Sequence, residues 1–362
     1  MRILQVVSDT DRRGAQVFAT DLAPALTARG HDVETVALVP GNAGGLDVEA
    51  LGTRWRSVRV LRELRARMGR VDVTVAHGST TGPACAVANL GLGRPIVYRQ
   101  ISDSRFWAPT RAKRAQVRAT LARARVTVAL SEFNRHELVE WIGVRPDRIV
   151  VVPNGVPADR FPPTTPTTRA AARAALGIPD ASASTPVPVV VFVGALAPEK
   201  GADLAVRAVG RIDGAQLVVA GAGVEAHRLE RLADEVAPGR VHFAGIMADA
   251  APLYHAADLL VLPSRGGDAM PAVIIEAGLC GLPVVSTTVG AIPEMIVDGE
   301  TGFVVQPDDL DGITDRIGRL LTDPVARAAM GSAARDRCLV RYEIARVAEG
   351  WDAALGRAAD HP

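Results

Sequence analysis

Cysteine is scarce in this sequence of 362 residues, and long uncharged apolar runs are missing. The three cysteines, Cys85, Cys280 and Cys338, are odd in number, widely spaced and match no metal-binding pattern, which indicates a reducing cytosol. No uncharged apolar run approaches the length of about 18 residues that a membrane span needs, so we expect no transmembrane helix. The chain opens directly on a strand-like segment, so we expect no secretion leader and a cytoplasmic location.

Charge of one sign is not in excess over the whole chain, whose net charge is +1. Overall charge therefore points to no particular partner, and we expect none among nucleic acids. The two halves differ, however. Residues 1–160 carry +9 and residues 161–362 carry −8. This asymmetry, in a chain long enough for two domains, predicts two domains with different surfaces.

Short runs of Val, Ile and Leu alternate with helical segments along the whole chain, which is typical of buried parallel strands in βαβ units. The predicted strands of the first half are Ile3–Val7, Asp32–Leu38, Val73–His77, Ile96–Tyr98, Val126–Leu130 and Ile149–Val152. Those of the second half are Val187–Val193, Gln216–Ala220, Val241–Ala244, Leu259–Leu262, Val284–Ser286 and Gly302–Val304. Pro24 predicts a kink or an early end in the first helix.

Both sets of strands open alike, with a hydrophobic strand, a Gly-containing loop and a helix. The sequence therefore predicts an α/β protein with two Rossmann-like, doubly wound parallel-sheet domains that face each other across a ligand-binding cleft. We place the first domain at residues 1–165 and the second at 187–340. Pro, Ser and Thr residues mark a linker region at 166–186. Residues 341–362 are predicted to form a helix that returns to the first domain.

The most informative segment holds two carboxylates, Asp268 and Glu276, eight residues apart. A small, Gly-rich loop precedes the first, and an apolar helical segment connects it to the second. Such a loop-to-helix step directs free backbone N–H groups and the positive end of a helix dipole at one point, which is an anion site. Glu276 would lie close enough to accept hydrogen bonds from hydroxyls of the same ligand. This pattern favours a nucleotide sugar, which carries phosphate next to a polyol.

The order and spacing of the motifs resemble those of the retaining glycosyltransferases of family 4 (glycosyl transferases group 1), nearly from end to end. The motifs that carry the resemblance are Gly14-Ala-Gln16, Asp72-Val-Thr-Val-Ala-His-Gly78, Val151-Val-Pro-Asn-Gly-Val156, Val193-Gly-Ala-Leu-Ala-Pro-Glu-Lys-Gly201, Ala257-Asp-Leu-Leu-Val-Leu-Pro-Ser264 and Asp298-Gly-Glu-Thr-Gly302, together with the two carboxylates. The resemblance implies the GT-B fold, a nucleotide-diphosphate sugar as co-substrate, and no metal or other cofactor.

By this resemblance Lys200 would stabilise the negative charge that grows on the diphosphate as the sugar–phosphate bond breaks. Asp268 occupies the position of a family glutamate that contacts the transferred sugar, and Glu276 would accept hydrogen bonds from the ribose. An arginine usually stands where this chain has Ala195, which removes half of the phosphate clamp. Arg265 or Arg99 could compensate for it.

The resemblance assigns further donor-binding positions in both domains. In the first domain the backbone of Gly14 and Ala15 would approach the donor phosphates, and His77 would hydrogen-bond a sugar hydroxyl near the reacting carbon. The second domain contributes Gly194, Ile246, Ala269, Met270, Pro271 and Ala272. The backbone of Ile246 would receive the nucleotide base. The catalytic candidates are therefore Lys200, Asp268 and His77.

Two basic stretches remain to be explained. Residues 54–70 carry seven arginines and one glutamate, and residues 105–125 carry seven Lys or Arg and no acid. Both are interpreted first as solvated helix faces. The alternative is that the first domain contacts the anionic inner face of the membrane, where each near-surface charge contributes about 1 kcal/mol. Phe106 and Trp107, near the start of the second stretch, fit that alternative.

The sequence thus predicts a metal-independent retaining glycosyltransferase of polysaccharide or glycolipid biosynthesis, which moves a sugar from a nucleotide-diphosphate sugar to an unidentified acceptor. One alternative is a sugar-nucleotide epimerase of the same fold. Another is a catalytically silent homologue that only binds nucleotide sugars, which Ala195 and Asp268 favour.

Overall fold

The computed structural model describes residues 1–42, 45–178 and 187–360 of the chain. Its strands are β1 (Arg2–Val7), β2 (Asp32–Ala37), β3 (Glu49–Ala50), β4 (Val73–His77), β5 (Ile96–Arg99), β6 (Val126–Ala129), β7 (Ile149–Val151), β8 (Val189–Val193), β9 (Gln216–Ala220), β10 (Val241–Gly245), β11 (Leu259–Leu262), β12 (Val284–Thr287) and β13 (Gly302–Val305). All twelve predicted strands are confirmed to within two residues. The two-residue β3 was missed because it has no apolar run of its own.

Helices cover the connections between these strands. They are α1 (Gly14–Thr27), α2 (Val58–Met68), α3 (Thr81–Ala88), α4 (Ser104–Trp107), α5 (Arg111–Leu121), α6 (Glu132–Glu137), α7 (Pro166–Ala175), α8 (Ala202–Gly210), α9 (Ala226–Val236), α10 (Ala251–Ala256), α11 (Ala272–Leu279), α12 (Ile292–Met295), α13 (Leu310–Thr322), α14 (Pro324–Arg341) and α15 (Ile344–Asp360). An early end of α1 at Pro24 was wrong. The helix continues to Thr27 because Leu22 and Leu26 are fully buried.

The chain divides into two compact units, and each contains one parallel sheet. Unit 1 comprises residues 1–157 and 342–362, and unit 2 comprises residues 158–341. The described strands of unit 1 run in the order β3-β2-β1-β4-β5-β6-β7, and those of unit 2 in the order β10-β9-β8-β11-β12-β13. Each order reverses direction once, beside β1 and beside β8, as in doubly wound folds.

These boundaries differ somewhat from those predicted at 165 and 340. Helix α7, in the region taken as a linker, belongs to unit 2, where Arg169 and Arg173 bind the buried Asp258. Residues 179–186 of the predicted linker lie outside the described residues, as do residues 361 and 362 at the end of the predicted C-terminal helix.

The core of unit 1 lies on both faces of its sheet, because successive residues of a strand point to opposite sides. Leu4 and Val6 of β1 pack with helices α2 and α3, whereas Ile3 packs with α1 and α15. Trp351 of α15 is fully buried, with its ring centroid 6.1 Å from that of Phe18. The last helix therefore completes the core of unit 1. No helix within the described ranges is both long enough and apolar enough to cross a membrane.

Candidate functional site

The strand order of unit 2 brings two loops to one edge of the sheet. Strands β8 and β11 are neighbours at the point where the order reverses, so the loops that follow them share the carboxyl edge. Ligands of doubly wound sheets bind at this edge. The first loop runs from Gly194 to Gly201 and carries Lys200. The second runs from Pro263 to Pro271 and carries Asp268. Topology alone therefore brings the two predicted catalytic residues of unit 2 together.

A glycine fixes the approach of these two loops. Gly201 has φ of +69°, and a Cβ added to it would lie 2.0 Å from the carbonyl oxygen of Pro263. Only glycine adopts this conformation readily and leaves room for that carbonyl. The residue before it, Lys200, is thereby held against the loop after β11.

The central feature of the site is an ion pair between Lys200 and Asp268. The Lys200 ammonium contacts Asp268 Oδ1, and the Ser264 hydroxyl donates to Asp268 Oδ2. Asp268 is only 6% exposed, whereas the Lys200 side chain keeps 21% of its surface. Asp268 therefore has both oxygens engaged and is held in one orientation. A diphosphate at this edge would compete with Asp268 for the Lys200 ammonium.

Arg265 fastens the loop that carries Lys200. Its backbone N–H donates to the Glu199 carbonyl at 2.7 Å, and its guanidinium donates to the Pro198 carbonyl at 3.0 Å. The same guanidinium binds both carboxylate oxygens of Asp203, at 2.7 and 2.9 Å. Burial alone would raise the pKa of Asp203, but the hydrogen bonds and charge of Arg265 lower it below its usual value. This pair is therefore ionised at neutral pH, and it supports the position of Lys200.

The loop after β8 also contains Ala195, at the position where the resembling family has an arginine. Ala195 is exposed, next to the buried Leu196, whose N–H donates to the Ala222 carbonyl at 2.9 Å. Neither proposed substitute is poised to replace the missing arginine. Arg265 is bound to Asp203, and Arg99 lies buried in unit 1. Each would have to exchange its present partners to reach a phosphate.

The segment between the two carboxylates forms the N-terminus of α11. Ala269 and Met270 are buried, and Pro271 is the extended residue that precedes the helix, which begins at Ala272. A Cβ on Gly290 would lie 1.8 Å from the Asp268 carbonyl, so the loop after β12 packs directly on this segment. The first N–H groups of a helix have no partner within the helix, and the helix dipole makes its start positive. The predicted loop-to-helix step is thus present, and its use as an anion site stays a prediction.

Glu276 lies on α11 with a partner that the sequence did not reveal. The hydroxyl of Tyr254, on α10, donates to Glu276 Oε2 at 2.7 Å. Tyr254 is fully buried, and burial together with the Glu276 charge holds the pKa of its phenol well above the usual value. The phenol therefore stays protonated and donates at every physiological pH. No local pattern in the sequence indicated that Tyr254 would be the partner of Glu276.

Gly194 and Ile246 occupy neighbouring loops at the same edge. A Cβ on Gly221, which follows β9, would lie 1.8 Å from the Gly194 carbonyl. The Gly221 N–H donates to the Gly245 carbonyl at 2.7 Å, which joins the loop after β9 to the end of β10. Ile246 follows directly and is 68% exposed. A large exposed apolar side chain beside this edge offers a surface on which a flat base could rest.

The unit 1 candidates lie beside its own reversal of strand order, after β1 and at the end of β4. Gly14 is exposed at the start of α1, and a Cβ added to it would meet nothing within 4 Å. Arg13, the residue before the helix, makes no side-chain cap. The helix start at Gly14 is therefore exposed, and contact of Gly14 and Ala15 with a phosphate stays a prediction.

His77 ends β4, as predicted, and is only 2% exposed. Its Nε2 lies 3.0 Å from Gln5 Oε1, and Arg99 Nη1 lies 3.5 Å from its Nδ1. Its ring is stacked on that of Trp351, with the centroids 6.1 Å apart. Burial, and then the charge of Arg99, hold the pKa of His77 well below the usual value. A hydrogen bond from this neutral imidazole to a sugar would first require these partners to change.

Metal-ligating groups are dispersed in this protein. Across residues 1–42, 45–178 and 187–360, no three His, Cys, Asp or Glu side chains are placed to share a metal ion. The three cysteines are free and buried. Burial raises the pKa of each thiol to about 12, so they are inert thiols.

Comparison with known proteins identifies both halves of the chain. The family model of glycosyltransferase family 4 matches residues 12–160, and that of glycosyl transferases group 1 matches residues 187–323. The chain is 34% identical over 342 residues to the GDP-mannose-dependent alpha-(1-6)-phosphatidylinositol monomannoside mannosyltransferase of Mycolicibacterium smegmatis, covering 87% of each chain. It is 36% identical over 218 residues to the D-inositol 3-phosphate glycosyltransferase of Mycobacterium tuberculosis, covering 57% of this chain and 44% of that one.

Solved structures share the fold at low sequence identity. The Anabaena protein HepE, crystallised with UDP and glucose, superposes with a TM-score of 0.86 at 21% identity, covering 98% of this chain and 99% of that one. The lipopolysaccharide glycosyltransferase WaaG superposes with a TM-score of 0.71 at 19% identity, over 97% and 98% of the two chains. Both halves of the chain thus match in sequence and in fold, and the protein belongs to the family 4, group 1 glycosyltransferases with the GT-B fold.

Proposed function

We propose that this glycosyltransferase moves a hexose from a nucleotide-diphosphate sugar, and that the carboxyl edge of unit 2 binds the donor. The observation that carries the proposal is the Lys200–Asp268 pair, which lies beside the N-terminus of α11. The Lys200 ammonium and the first N–H groups of α11 would receive the diphosphate. Asp268 would contact the sugar, and Glu276 the ribose. Gly194 and Ile246 would line the base end of the same edge.

The proposed reaction is a substitution with retention and needs no metal. The bond between the anomeric carbon and the phosphate oxygen breaks, and the acceptor hydroxyl forms its bond on the same face of the sugar. The acceptor proton passes to the departing phosphate oxygen. Negative charge grows on the diphosphate as the bond breaks, so a fixed ammonium and aligned N–H groups stabilise the transition state more than the ground state.

For the substrates, we propose mannose from GDP-mannose and an acceptor that contains inositol phosphate, as in a phosphatidylinositol glycolipid. The support is the curated mycobacterial relative, whose name specifies both GDP-mannose and phosphatidylinositol monomannoside, and which matches this chain over 87% of its length. The shorter match to an inositol phosphate glycosyltransferase supports the same acceptor class. Asp268, one methylene shorter than the family glutamate, would leave more room beside the bound sugar.

The test is a transfer assay with radiolabelled donors. GDP-mannose, UDP-glucose and UDP-N-acetylglucosamine are each supplied with phosphatidylinositol monomannoside, with inositol 3-phosphate or without acceptor. We expect label in the lipid product only with GDP-mannose and phosphatidylinositol monomannoside, and an α-linked product by NMR. A β-linked product would contradict retention. Transfer from UDP-glucose alone would contradict the choice of donor, and release of free epimerised nucleotide sugar would favour an epimerase.

A second proposal concerns unit 1, where we infer a peripheral docking surface for anionic lipid on α4 and α5. Phe106 is 43% and Trp107 52% exposed, and their rings contact each other edge to face with centroids 4.9 Å apart. Two cations at the start of α5, Arg111 and Lys113, are exposed nearby in sequence. Exposed aromatics beside exposed cations suit a membrane interface. Arg114 is less available to lipid, because its guanidinium already contacts an aromatic ring and lies 4.0 Å from the centre of the Trp141 ring.

The other basic stretch, on α2, is partly engaged within unit 1. Arg67 forms ion pairs with Glu34, Glu49 and Glu63, and Arg65 donates to the carbonyls of Ala88 and Leu90. Two of the four arginines of α2 are thus engaged, and acids lie beside Arg67, whereas α5 has no acid in its own sequence. The structure therefore favours α5, and not α2, as the proposed lipid-facing helix.

A further inference from the structure

Tyr254 is a buried residue beside the donor site to which the proposed chemistry gives no role. It lies on α10, with no exposed surface, and its ring contacts that of Phe161 edge to face at a centroid distance of 5.9 Å. Its hydroxyl reaches out of this apolar setting to Glu276 Oε2, 2.7 Å away. The hydroxyl thus connects the core of unit 2 to a side chain that is half-buried at the ligand edge.

Packing alone does not account for the hydroxyl. A phenylalanine would fill the same space against Phe161 without burying a polar group, and a buried hydroxyl is costly unless it is hydrogen-bonded. Its hydrogen bond goes to a carboxylate, and such charge-assisted bonds are shorter and stronger than neutral ones. The bond therefore restricts the rotamers of Glu276. A flexible glutamate would otherwise have to be ordered by each ligand that binds, at an entropic cost.

The consequence lies in how the ribose is recognised. Two neighbouring hydroxyls of a ribose can be bound together by one carboxylate only when that carboxylate is held in a suitable plane. A carboxylate held in advance binds them without losing its own freedom. We infer that Tyr254 is a positioning residue, which orients Glu276 toward the donor ribose and so sets the preference for ribose over deoxyribose nucleotides. This inference rests on the proposed donor site.

The experiment is a set of calorimetric titrations on the full chain. GDP and its 2′-deoxy and 3′-deoxy analogues are titrated into wild type, Tyr254→Phe, Glu276→Gln and the double variant. The Tyr254→Phe substitution removes one oxygen and keeps the ring contact with Phe161. We expect it to weaken GDP by about three- to tenfold, the scale of one hydrogen bond that acts through another group. Binding of the deoxy analogues should change by less than twofold.

The double variant tests whether the two residues act as one unit. If Tyr254 acts through Glu276, the double variant should bind GDP as Glu276→Gln does, with no further loss, because residues in one network are not additive. Independent, additive losses would overturn the inference. So would a Tyr254→Phe loss that is equal for GDP and both deoxy analogues, since that indicates a general disturbance of the fold.

Two further variants serve as controls for the effect of Tyr254→Phe. Tyr98, a buried tyrosine in unit 1, provides the matched control, and Tyr98→Phe should leave the ribose preference unchanged. Glu276→Asp keeps Tyr254 but moves the carboxylate away from its hydroxyl. This variant should therefore lose affinity for GDP more than for the deoxy analogues, as Tyr254→Phe does. Wild type that binds neither GDP nor UDP would overturn the donor site itself. Wild type that prefers ribose, with Glu276→Gln impaired and Tyr254→Phe unimpaired, would overturn only the role of Tyr254.

Discussion

The two units share the order of their first six described strands, but the point where that order reverses is open in one unit and filled in the other. In unit 2 the loops beside this point carry Lys200, Asp268 and Glu276, and two of these side chains keep access to solvent. In unit 1 the same point is filled by the side chains of Gln5, His77 and Arg99, all of them at most 2% exposed. Equal topology therefore does not imply equal chemistry.

At the reversal of strand order in unit 1, Gln5, His77 and Arg99 form a chain of hydrogen bonds that packs against aromatic rings. Gln5 donates to the Ala19 carbonyl at 2.9 Å and accepts from His77, and the Arg99 guanidinium lies 3.9 Å from the centre of the Phe18 ring. Burial lowers the pKa of Arg99 to about 9, so the guanidinium remains charged at neutral pH. The exposed chemistry of unit 1 lies elsewhere, on α4 and α5. The comparison thus finds partly exposed charge at the edge of unit 2 and buried charge at the centre of unit 1, and the sugar-contacting role of His77 stays a prediction.

The largest expected effect would come from removing the cation of unit 2. Lys200→Ala should reduce kcat by about 10²-fold or more, the scale of losing one transition-state electrostatic group. The other lysine of the chain provides the control, and Lys113→Ala should change kcat for a water-soluble acceptor by less than twofold. Steady-state transfer rates measure both. Activity of Lys200→Ala within a few-fold of wild type would assign the diphosphate to another residue.

The next largest effect concerns vesicle binding by the two basic helices of unit 1, α5 and α2. Replacing Arg111 and Lys113 with Gln should weaken binding to anionic vesicles roughly 30-fold, because each near-surface charge contributes about 1 kcal/mol. The matched control is the double replacement of Arg59 and Arg62, two exposed arginines on α2, which should cost less than threefold. Co-sedimentation with phosphatidylserine vesicles measures both, and binding should fall as salt rises. Wild type that does not sediment at low salt would remove the lipid surface.

A smaller effect, about tenfold, would separate the two carboxylates of unit 2. Glu276→Gln should weaken GDP-mannose and GDP alike, because both contain the ribose. Asp268→Asn should weaken GDP-mannose only. It should leave GDP unchanged or bind it more tightly, since Lys200 loses the partner that competes with the diphosphate. Calorimetry with the two ligands decides this. Equal losses for both ligands in Asp268→Asn would refute a separate sugar-binding role.

The smallest effect would test the buried histidine of unit 1. The folded pKa of His77 is depressed, so below pH 6.5 the unfolded chain takes up a proton that the folded protein does not. Stability should therefore fall on acidification from pH 7 to pH 5, by at most about 1.4 kcal/mol per pH unit from this group. Urea unfolding of wild type and His77→Gln should show a shallower pH slope in the variant. Equal slopes, with turnover lost in a folded His77→Gln protein, would support the sugar-contacting role instead.

How much of the fold and of the site could be predicted depends on how far apart in the chain the interacting residues lie. Local apolar runs placed twelve strands, and only the two-residue β3, which pairs with β2 at the sheet edge, lacked such a signal. The spacing of Asp268 and Glu276 around a loop-to-helix step was also local, and so that step could be predicted. The partners of these residues were not. Ser264, Arg265 and Tyr254 carry no pattern that reveals what they contact, since their partners come from other loops and helices.

His77 shows the limit most clearly. Its place at the end of an apolar strand was correct, yet a strand end beside a reversal of strand order can be open or filled. Trp351, from a helix almost three hundred residues away in the chain, helps to fill it. The two basic stretches give the same lesson, because acids from β2, β3 and α2 itself pair with Arg67 on α2, whereas α5 has no acid in its own sequence.

The sequence by itself determined the class of fold, the two-domain order and the loop-to-helix step of unit 2, because each depends on neighbours along the chain. Only the tertiary structure decided which charges are available to a ligand. It paired Lys200 with Asp268, fixed Glu276 with Tyr254 and buried His77 with Arg99. The physical reason is that burial and ion pairing depend on which segments pack together, and local patterns do not encode that.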